Sequence, residues 1–252
     1  MDAVAYRIIA KQGTPESVWG PWLAARAVRT VTASSLCPAA SRLVVVAPHP
    51  DDELLCCGAL MALHAAMGGT VLVLAVTDGE ASHGAADARL GRRRRLERSA
   101  GLDQLGIPPL VVSFGLPDGA VAAREAELAL YLQARLQPSD TVLCTWRLDG
   151  HPDHESTGRA AAVACAATGS RLVEAPVWMW NWSRPGDPRV PWQDLVALAL
   201  PPRVLAAKRQ ALLCHHSQLL PRSRGQGPVL DAAIVARAAR GSEYFFVSGG
   251  AH

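Results

Sequence analysis

The sequence predicts an α/β fold: a mostly parallel sheet with helices on both faces, built as a single domain. Three observations predict it. Short runs that are apolar throughout recur between residues 43 and 145, as strands buried on both faces require. Longer stretches of helix-forming and charged residues separate them, the order of repeated βαβ units. Composition agrees: 50% of the 252 residues are apolar but only 5% aromatic. That mix suits helices packed on a sheet better than a small sandwich.

The elements follow in order. Leu43 to Ala47 is a β-branched run and predicts the first strand. Leu54 to Met67 predicts a helix, closed by Gly68-Gly69. Thr70 to Thr77 (TVLVLAVT) predicts a second buried strand, and Arg89 to Leu105 a charged amphipathic helix ending at Gly106. Leu110 to Phe114 predicts a third strand, and Val121 to Leu136 a third helix stopped by Pro138. Thr141 to Thr145 predicts a fourth strand, and Glu155 to Ala167 another helix. This layout is Rossmann-like, and such sheets bind ligands beyond the carboxyl ends of their strands. The places to search are therefore just after Ala47, Thr77, Phe114 and Thr145. Residues 1–41 are expected to be an N-terminal extension to a domain spanning 42–252. The stretch from Trp178 to Pro202 holds WMWNW and several prolines, which suits a wall or lid over a pocket.

Charge and cysteine usage narrow the function classes. A formal net charge of +3 is too weak to indicate a nucleic-acid partner. The six cysteines show no CxxC spacing and sit in apolar stretches, as buried thiols in a reducing compartment do. The N-terminus lacks an apolar run of secretory length, and no stretch is long and apolar enough to span a bilayer. The expected location is cytoplasmic, with a small molecule as partner and the oligomeric state open.

Two clusters carry chemistry. After the first strand comes Pro48-His49-Pro50-Asp51-Asp52-Glu53, at a strand end just before a helix. An aspartate there can cap the helix. Capping needs one acid, whereas three acids beside a histidine repel one another unless a cation is present. After the fourth strand comes His151-Pro152-Asp153-His154-Glu155, again at a strand-to-helix junction. His49 and Asp52 are three apart, as are His151 and His154, so each pair points one way if a helical turn begins there. In a parallel sheet the two junctions converge, offering the imidazole and carboxylate set that zinc takes. A catalytic zinc needs three protein ligands and leaves one position open, so surplus residues remain for acid, base and orienting roles.

At these residues the sequence resembles the LmbE-like (PIG-L) family of zinc-dependent N-acetylglucosaminyl deacetylases. VVVAPHPDDELLCCGAL resembles its first signature and HPDHESTGRAA its second. Weaker similarities are TDGEAS, Arg94-x-x-Glu97-x-x-Ala100, LPDG, and Lys208-x-x-Ala211 before His215-His216-Ser217-Gln218. The resemblance covers roughly Arg42 to Gln218. It implies that His49, Asp52 and His154 hold Zn2+ and that Asp51 is the general base. It implies that His151 steadies the oxyanion or protonates the departing amine, with Asp153 orienting His151 and keeping it cationic. Arg94 and Asp118 match positions that contact the sugar. Pro48 and Cys57-Gly58 depart from the usual pattern without removing a functional group. The implied activity is hydrolysis of the acetamido group of an N-acetylated amino-sugar conjugate.

Other features have plainer readings. The run Arg92 to Arg95 reads mostly as a solvated helix face, with Arg94 promoted by the resemblance. His64 reads as structural, and His83 as a loop residue at the sheet's functional edge. His215 or His216 is a weak addition to the site. Cys56 and Cys57 are expected on the core side of their helix. Trp178, Trp180 and Trp182 alternate as on a strand, for core packing or for stacking on a sugar. Two alternatives stay open: a zinc amidohydrolase acting on another acyl amide, and a catalytically silent sugar- or metal-binding module. A binder needs neither Asp51 nor His151, and no GxGxxG follows any strand to suggest a nucleotide-binding domain.

Overall fold

The computed structural model describes residues 7–107, 110–222 and 225–247. Along the chain these form α1 (Glu16–Ala25), β1 (Arg29–Val31), α2 (Ala33–Leu36), β2 (Leu43–Ala47), α3 (Asp52–Ala66) and β3 (Val71–Thr77). Then come α4 (Ala88–Gln104), β4 (Val111–Leu116), α5 (Glu125–Gln133), β5 (Thr141–Thr145), α6 (Pro152–Thr168) and β6 (Arg171–Ala175). The last are α7 (Met179–Trp182), β7 (Leu195–Ala199), α8 (Pro202–Leu213), α9 (His216–Leu219), α10 (Ala232–Ala238) and β8 (Ser242–Val247).

The strands form one 8-stranded sheet in the order β1-β7-β8-β6-β5-β2-β3-β4. Only β8 runs antiparallel, against β6 and β7. Strand β2 shows why the runs are apolar throughout. Leu43, Val45 and Ala47 face a core shared with α3 and Leu102 of α4, while Val44 and Val46 face a second core shared with α5 and α6. Both faces are covered, so neither set of alternate positions can be polar.

The chain leaves β2 for β3 on one side of the sheet, whereas β5 pairs on the other side of β2. The order therefore reverses between β2 and β5, and a crevice opens there beyond their carboxyl ends. Both ligand-rich loops empty into it. Helix α6 approaches β5 closely because Gly158 has no side chain; a Cβ there would sit 2.7 Å from the Thr145 carbonyl oxygen and the Arg147 amide.

Helix α3 begins at Asp52, earlier than expected, and breaks at Cys57 (φ −152°, ψ 26°). The amides of Ala59 and Leu60 that restart the helix donate to Glu243 on β8, at 2.7 and 2.9 Å. Lys208 of α8 closes the arrangement by donating to the same carboxylate at 2.7 Å. The third predicted helix divides into a 3-10 turn at Val121–Arg124 and α5. The tryptophan stretch is a correction: residues 179–182 are helical, because Ser183 and Trp182 close i−4 bonds on Met179 and Trp178. Within residues 1–41, β1 pairs parallel with β7, and Trp19 donates to the Trp180 carbonyl at 2.9 Å; residues 1–6 lie outside the described ones. Among the described residues no helix is long and apolar enough to cross a membrane, and all six cysteines are free.

Candidate metal centre and active site

The loop after β2 turns sharply. Asp51 has φ 136°, a conformation that non-glycine residues avoid and that costs about 1–3 kcal/mol. Its surroundings enforce it: the Asp51 carbonyl accepts the amides of Leu54 and Leu55 at 3.0 and 2.9 Å, starting α3. Its own amide donates to Glu53 at 3.2 Å. The turn sets Asp52 under His49, whose Nδ1 lies 3.1 Å from Asp52 Oδ2. From the loop after β5, His154 Nε2 reaches the same Oδ2 at 3.3 Å.

His49, Asp52 and His154 thus present two imidazole nitrogens and one carboxylate oxygen, all within 4.8 Å of one another and buried. Tetrahedral zinc with ligands at 2.0–2.1 Å holds its donors roughly 3.3 Å apart, so the set fits that ion. Each histidine is also held by its other nitrogen. His154 Nδ1 donates to Asp149 Oδ2 at 2.9 Å, and His49 Nε2 lies 3.2 Å from both Asp118 and Asp153. Carboxylates on the outer nitrogens fix the imidazoles with their inner nitrogens turned to an ion. A second set, His49, His151 and Asp153, also lies within reach. It fits less well, since both oxygens of the Asp153 carboxylate already accept amides, from Gly119 and Val121.

Titration follows from burial and these contacts. Burial disfavours charge on His154, yet Asp52 and Asp149 outweigh it and raise its pKa to about 9. Burial likewise opposes charge on His49, but Asp118, Asp153 and Asp52 hold it well above the ordinary value. Burial raises Asp51 to about 6, against the pull of the Arg94 cation. Without an ion, protons take its place in this cluster.

Two residues sit differently from what the resemblance implied. The Asp153 carboxylate is bound to the Gly119 and Val121 amides, at 2.8 and 3.2 Å, and to His49. Its link to His151 is the backbone: the Asp153 amide donates to His151 Nδ1 at 3.3 Å. Nδ1 is therefore the acceptor, and Nε2 carries the proton of a neutral ring. Burial and the charges of His154 and His49 push His151 down to about 3. It stands in the site as a neutral N–H donor rather than a cation.

Arg94 is also turned inward. Its guanidinium donates to Asp51 Oδ2 (3.1 Å), the Pro50 carbonyl (2.8 Å) and the Gly79 carbonyl (2.9 Å). Gly79 is required there, since a Cβ would stand 1.8 Å from an Arg94 nitrogen. Arg92, Arg93 and Arg95 point to solvent, two of them paired with Glu97 and Asp78. Asp118 accepts the Ala81 amide at 2.9 Å and reaches His49.

A cavity of about 400 Å³ opens over this cluster, and His49, Asp51, Asp52, Arg94, Asp118, His151 and His154 all line it. The rest of its lining is largely apolar, with Leu55, Val177, Trp178, Val229, Leu230 and Ile234. Trp178 stacks on His151 with ring centroids 6.4 Å apart, while Trp180 and Trp182 are committed to packing elsewhere. Three other histidines stand outside. His64 is buried beside Cys37, His83 lies 2.9 Å from the Ser217 carbonyl, and His215 is buried beneath Gly101. Sequence reasoning did not single out Asp149. The signal was there, an acid five residues before a ligand histidine, but its partner is visible only once the loop is folded.

Residues 44–165 match the model of the family described as PIG-L: GlcNAc-PI de-N-acetylase. Both ligand-bearing loops lie inside that match. The chain is 29% identical to the 1D-myo-inositol 2-acetamido-2-deoxy-alpha-D-glucopyranoside deacetylase of Rhodococcus opacus (strain B4), over 71% of this chain and 82% of that protein. Among solved structures it resembles the zinc-inhibited form of teicoplanin deacetylase Orf2, with a TM-score of 0.60 at 20% identity over 82% of this chain and 97% of that one. The A40926 pseudoaglycone deacetylase Dbv21 superposes with a TM-score of 0.60 at 23% identity, over 82% and 96%. At those identities the likeness speaks to the fold. The PIG-L match ends before Trp178, Leu230 and Ile234, so much of the apolar lining of the cavity is built by chain outside it.

Proposed function

We propose that this protein is a zinc-dependent N-deacetylase that hydrolyses the acetamido group of an N-acetylated amino-sugar conjugate, of the N-acetylglucosaminyl type. One observation carries the reading: a strained, buried Asp51 stands beside a three-residue metal set without belonging to it, as a general base must. The PIG-L match and the names of the relatives support the substrate class.

His49, Asp52 and His154 would hold the zinc, which supplies Lewis-acid activation of water and of the amide carbonyl. Asp51, with a pKa of about 6, is ionised at neutral pH and takes a proton from the attacking water. Arg94 keeps that carboxylate aimed at the cavity. His151, with its proton on Nε2, donates a hydrogen bond to the developing oxyanion, and the proton that Asp51 takes from the water passes to the amine as it leaves. Asp153 holds His49 and ties the loop after β4 to α6 through the Gly119 and Val121 amides. Asp118 offers a carboxylate oxygen to a sugar hydroxyl at the cavity wall.

Acetate release from N-acetylglucosaminyl conjugates by zinc-loaded protein tests the reading. The expected result is turnover with such conjugates and little with a simple acetanilide. Comparable turnover of the anilide would favour a general amidohydrolase, and no hydrolysis of any acetamide would overturn the enzymatic reading. A catalytically silent module has no use for a strained base beside the metal set.

A further inference from the structure

The second metal loop is gripped from outside by the N-terminal segment. Arg7 Nε donates to Glu155 Oε1 at 2.8 Å, from 148 residues away. Glu155 directly follows His154 of the metal set, and the same Oε1 accepts the Gly150 amide at 2.9 Å. One carboxylate oxygen thus ties the loop after β5 to the first turn of α6, and Arg7 holds that oxygen in place. The backbones also meet: a Cβ on Gly150 would stand 3.1 Å from the Arg7 carbonyl oxygen and 2.7 Å from the Trp182 ring.

Asn181 of α7 sets the register that delivers Arg7. Its buried side-chain amide accepts the Ala10 amide at 2.8 Å and donates to the Ala10 carbonyl at 3.1 Å. Further on, the Thr14 amide donates to the Asn181 carbonyl at 3.0 Å, and Arg237 of α10 donates to the Thr14 carbonyl at 2.9 Å. Helix α7 is itself joined to the metal loop, since Trp182 Nε1 donates to the Asp149 carbonyl at 2.7 Å. Residues 7–14 are therefore pinned along their length, and they lie outside the PIG-L match.

We propose that residues 7–14 are a strap for the second metal loop, and that Arg7, acting through Glu155, is a positioning residue for His154. Asp149 fixes the His154 ring, and the strap fixes the backbone that carries both. Among the described residues the other cation within ion-pair distance of Glu155 is Arg159, 3.7 Å from Oε2 and already paired with Glu125 at 2.8 Å. With Arg7 removed, the carboxylate turns to Arg159 and the Gly150 amide loses its acceptor. The inference rests on the metal set of the deacetylase reading and not on its substrate.

The test measures zinc affinity by chelator competition on the full chain, beside kcat and KM for an N-acetylglucosaminyl conjugate. Arg7→Gln should weaken zinc about 3- to 10-fold, less than the loss of a group that touches a ligand directly. At saturating zinc kcat should fall while KM holds, since His151 shares the loop. Arg7→Lys keeps the charge and should restore affinity to within about twofold. In a Glu155→Gln background, Arg7→Gln should cost nothing further, because its effect passes through that carboxylate. Lys11→Gln removes an exposed charge from the same strap and should change neither zinc affinity nor turnover. Hydrogen exchange at the Gly150 amide of metal-free protein should quicken in Arg7→Gln, with Tm lowered by no more than about 4 °C. Unaltered zinc affinity in Arg7→Gln, an equal loss in the Glu155→Gln background, or unchanged exchange at Gly150 would each overturn the proposal. If zinc binds but no acetate forms, the deacetylase reading falls while affinity and exchange still decide the strap. No zinc in the unaltered protein removes both.

Discussion

Asp149 accepts a hydrogen bond from His154 Nδ1 at 2.9 Å, and the same carboxylate accepts the amides of Val177, Trp178 and Met179 at 2.9–3.0 Å. A metal-facing histidine is thereby fastened to the segment that supplies Val177 and Trp178 to the cavity wall. Asp149→Asn should lower zinc affinity about 10- to 100-fold while leaving all three ligands in place. His49→Ala, Asp52→Ala and His154→Ala should each remove most of the metal. Metal content by mass spectrometry and competition with a chelator would show the gradation, and full occupancy in all three ligand variants would refute the centre.

Asp51→Asn should keep its zinc and lose on the order of 10²-fold or more in kcat. In the unaltered protein the acid limb of the kcat/KM profile should fall near pH 6, where Asp51 titrates. Activity rises with pH across that limb because the base must be ionised. A profile flat from pH 5 to 8 would exclude the role.

Arg94 separates two readings. Were it only a sugar contact, Arg94→Ala would raise KM for a glycoside and leave an acetanilide unaffected. Its bond to Asp51 predicts a loss of kcat on both, about 10- to 150-fold for a charged hydrogen bond. Losing the cation also removes the interaction that holds Asp51 down, so the acid limb should move to higher pH. Measuring the pH profile of the variant decides between them.

Zinc and protons compete for the same atoms. Because burial is outweighed by Asp52 and Asp149, His154 stays charged up to about pH 9 in the metal-free protein. Zinc uptake at pH 7.5 should therefore release protons, seen as calorimetric heats that scale with the buffer's ionisation enthalpy. The stability consequence has a definite sign. A histidine whose folded pKa is raised contributes fully below its unfolded value of about 6.5, and that contribution is lost as pH rises through about 9. Metal-free protein should accordingly melt lower at pH 9.5 than at pH 6.5, an effect that zinc loading should suppress.

The break in α3 offers a prediction about stability alone. Lys208→Met leaves Glu243 buried without its counter-ion, at a cost of about 3–5 kcal/mol. For a domain of this size each kcal/mol moves Tm by about 2–4 °C, so a fall of roughly 6–20 °C is expected by calorimetry. Lys208→Arg, which keeps the charge, should lose much less.

The sequence by itself determined four of the eight strands, β2 to β5, with the helices between and after them, and the two ligand clusters at their junctions. These are local properties. A strand covered on both faces must be apolar at every position, as Leu43–Ala47 is, and a metal set must spend histidines and acids where the chain turns. Only the tertiary structure decided how the ionisable groups divide their work. Asp153 serves His49 from 104 residues away, Arg94 serves Asp51 from 43 away, and Asp149 rather than Asp153 carries the histidine contact within its own loop. The Asp153 contact depends on β5 lying beside β2, and the Arg94 contact on β3 lying on its other side, which no local pattern states. The tryptophans show the same limit, since alternation in WMWNW suits a strand until i−4 bonds at Trp178 and Met179 make it a helix. The cavity's apolar lining was the least legible of all. Leu55, Trp178, Leu230 and Ile234 look like ordinary core residues in sequence, and only packing leaves them lining a cavity.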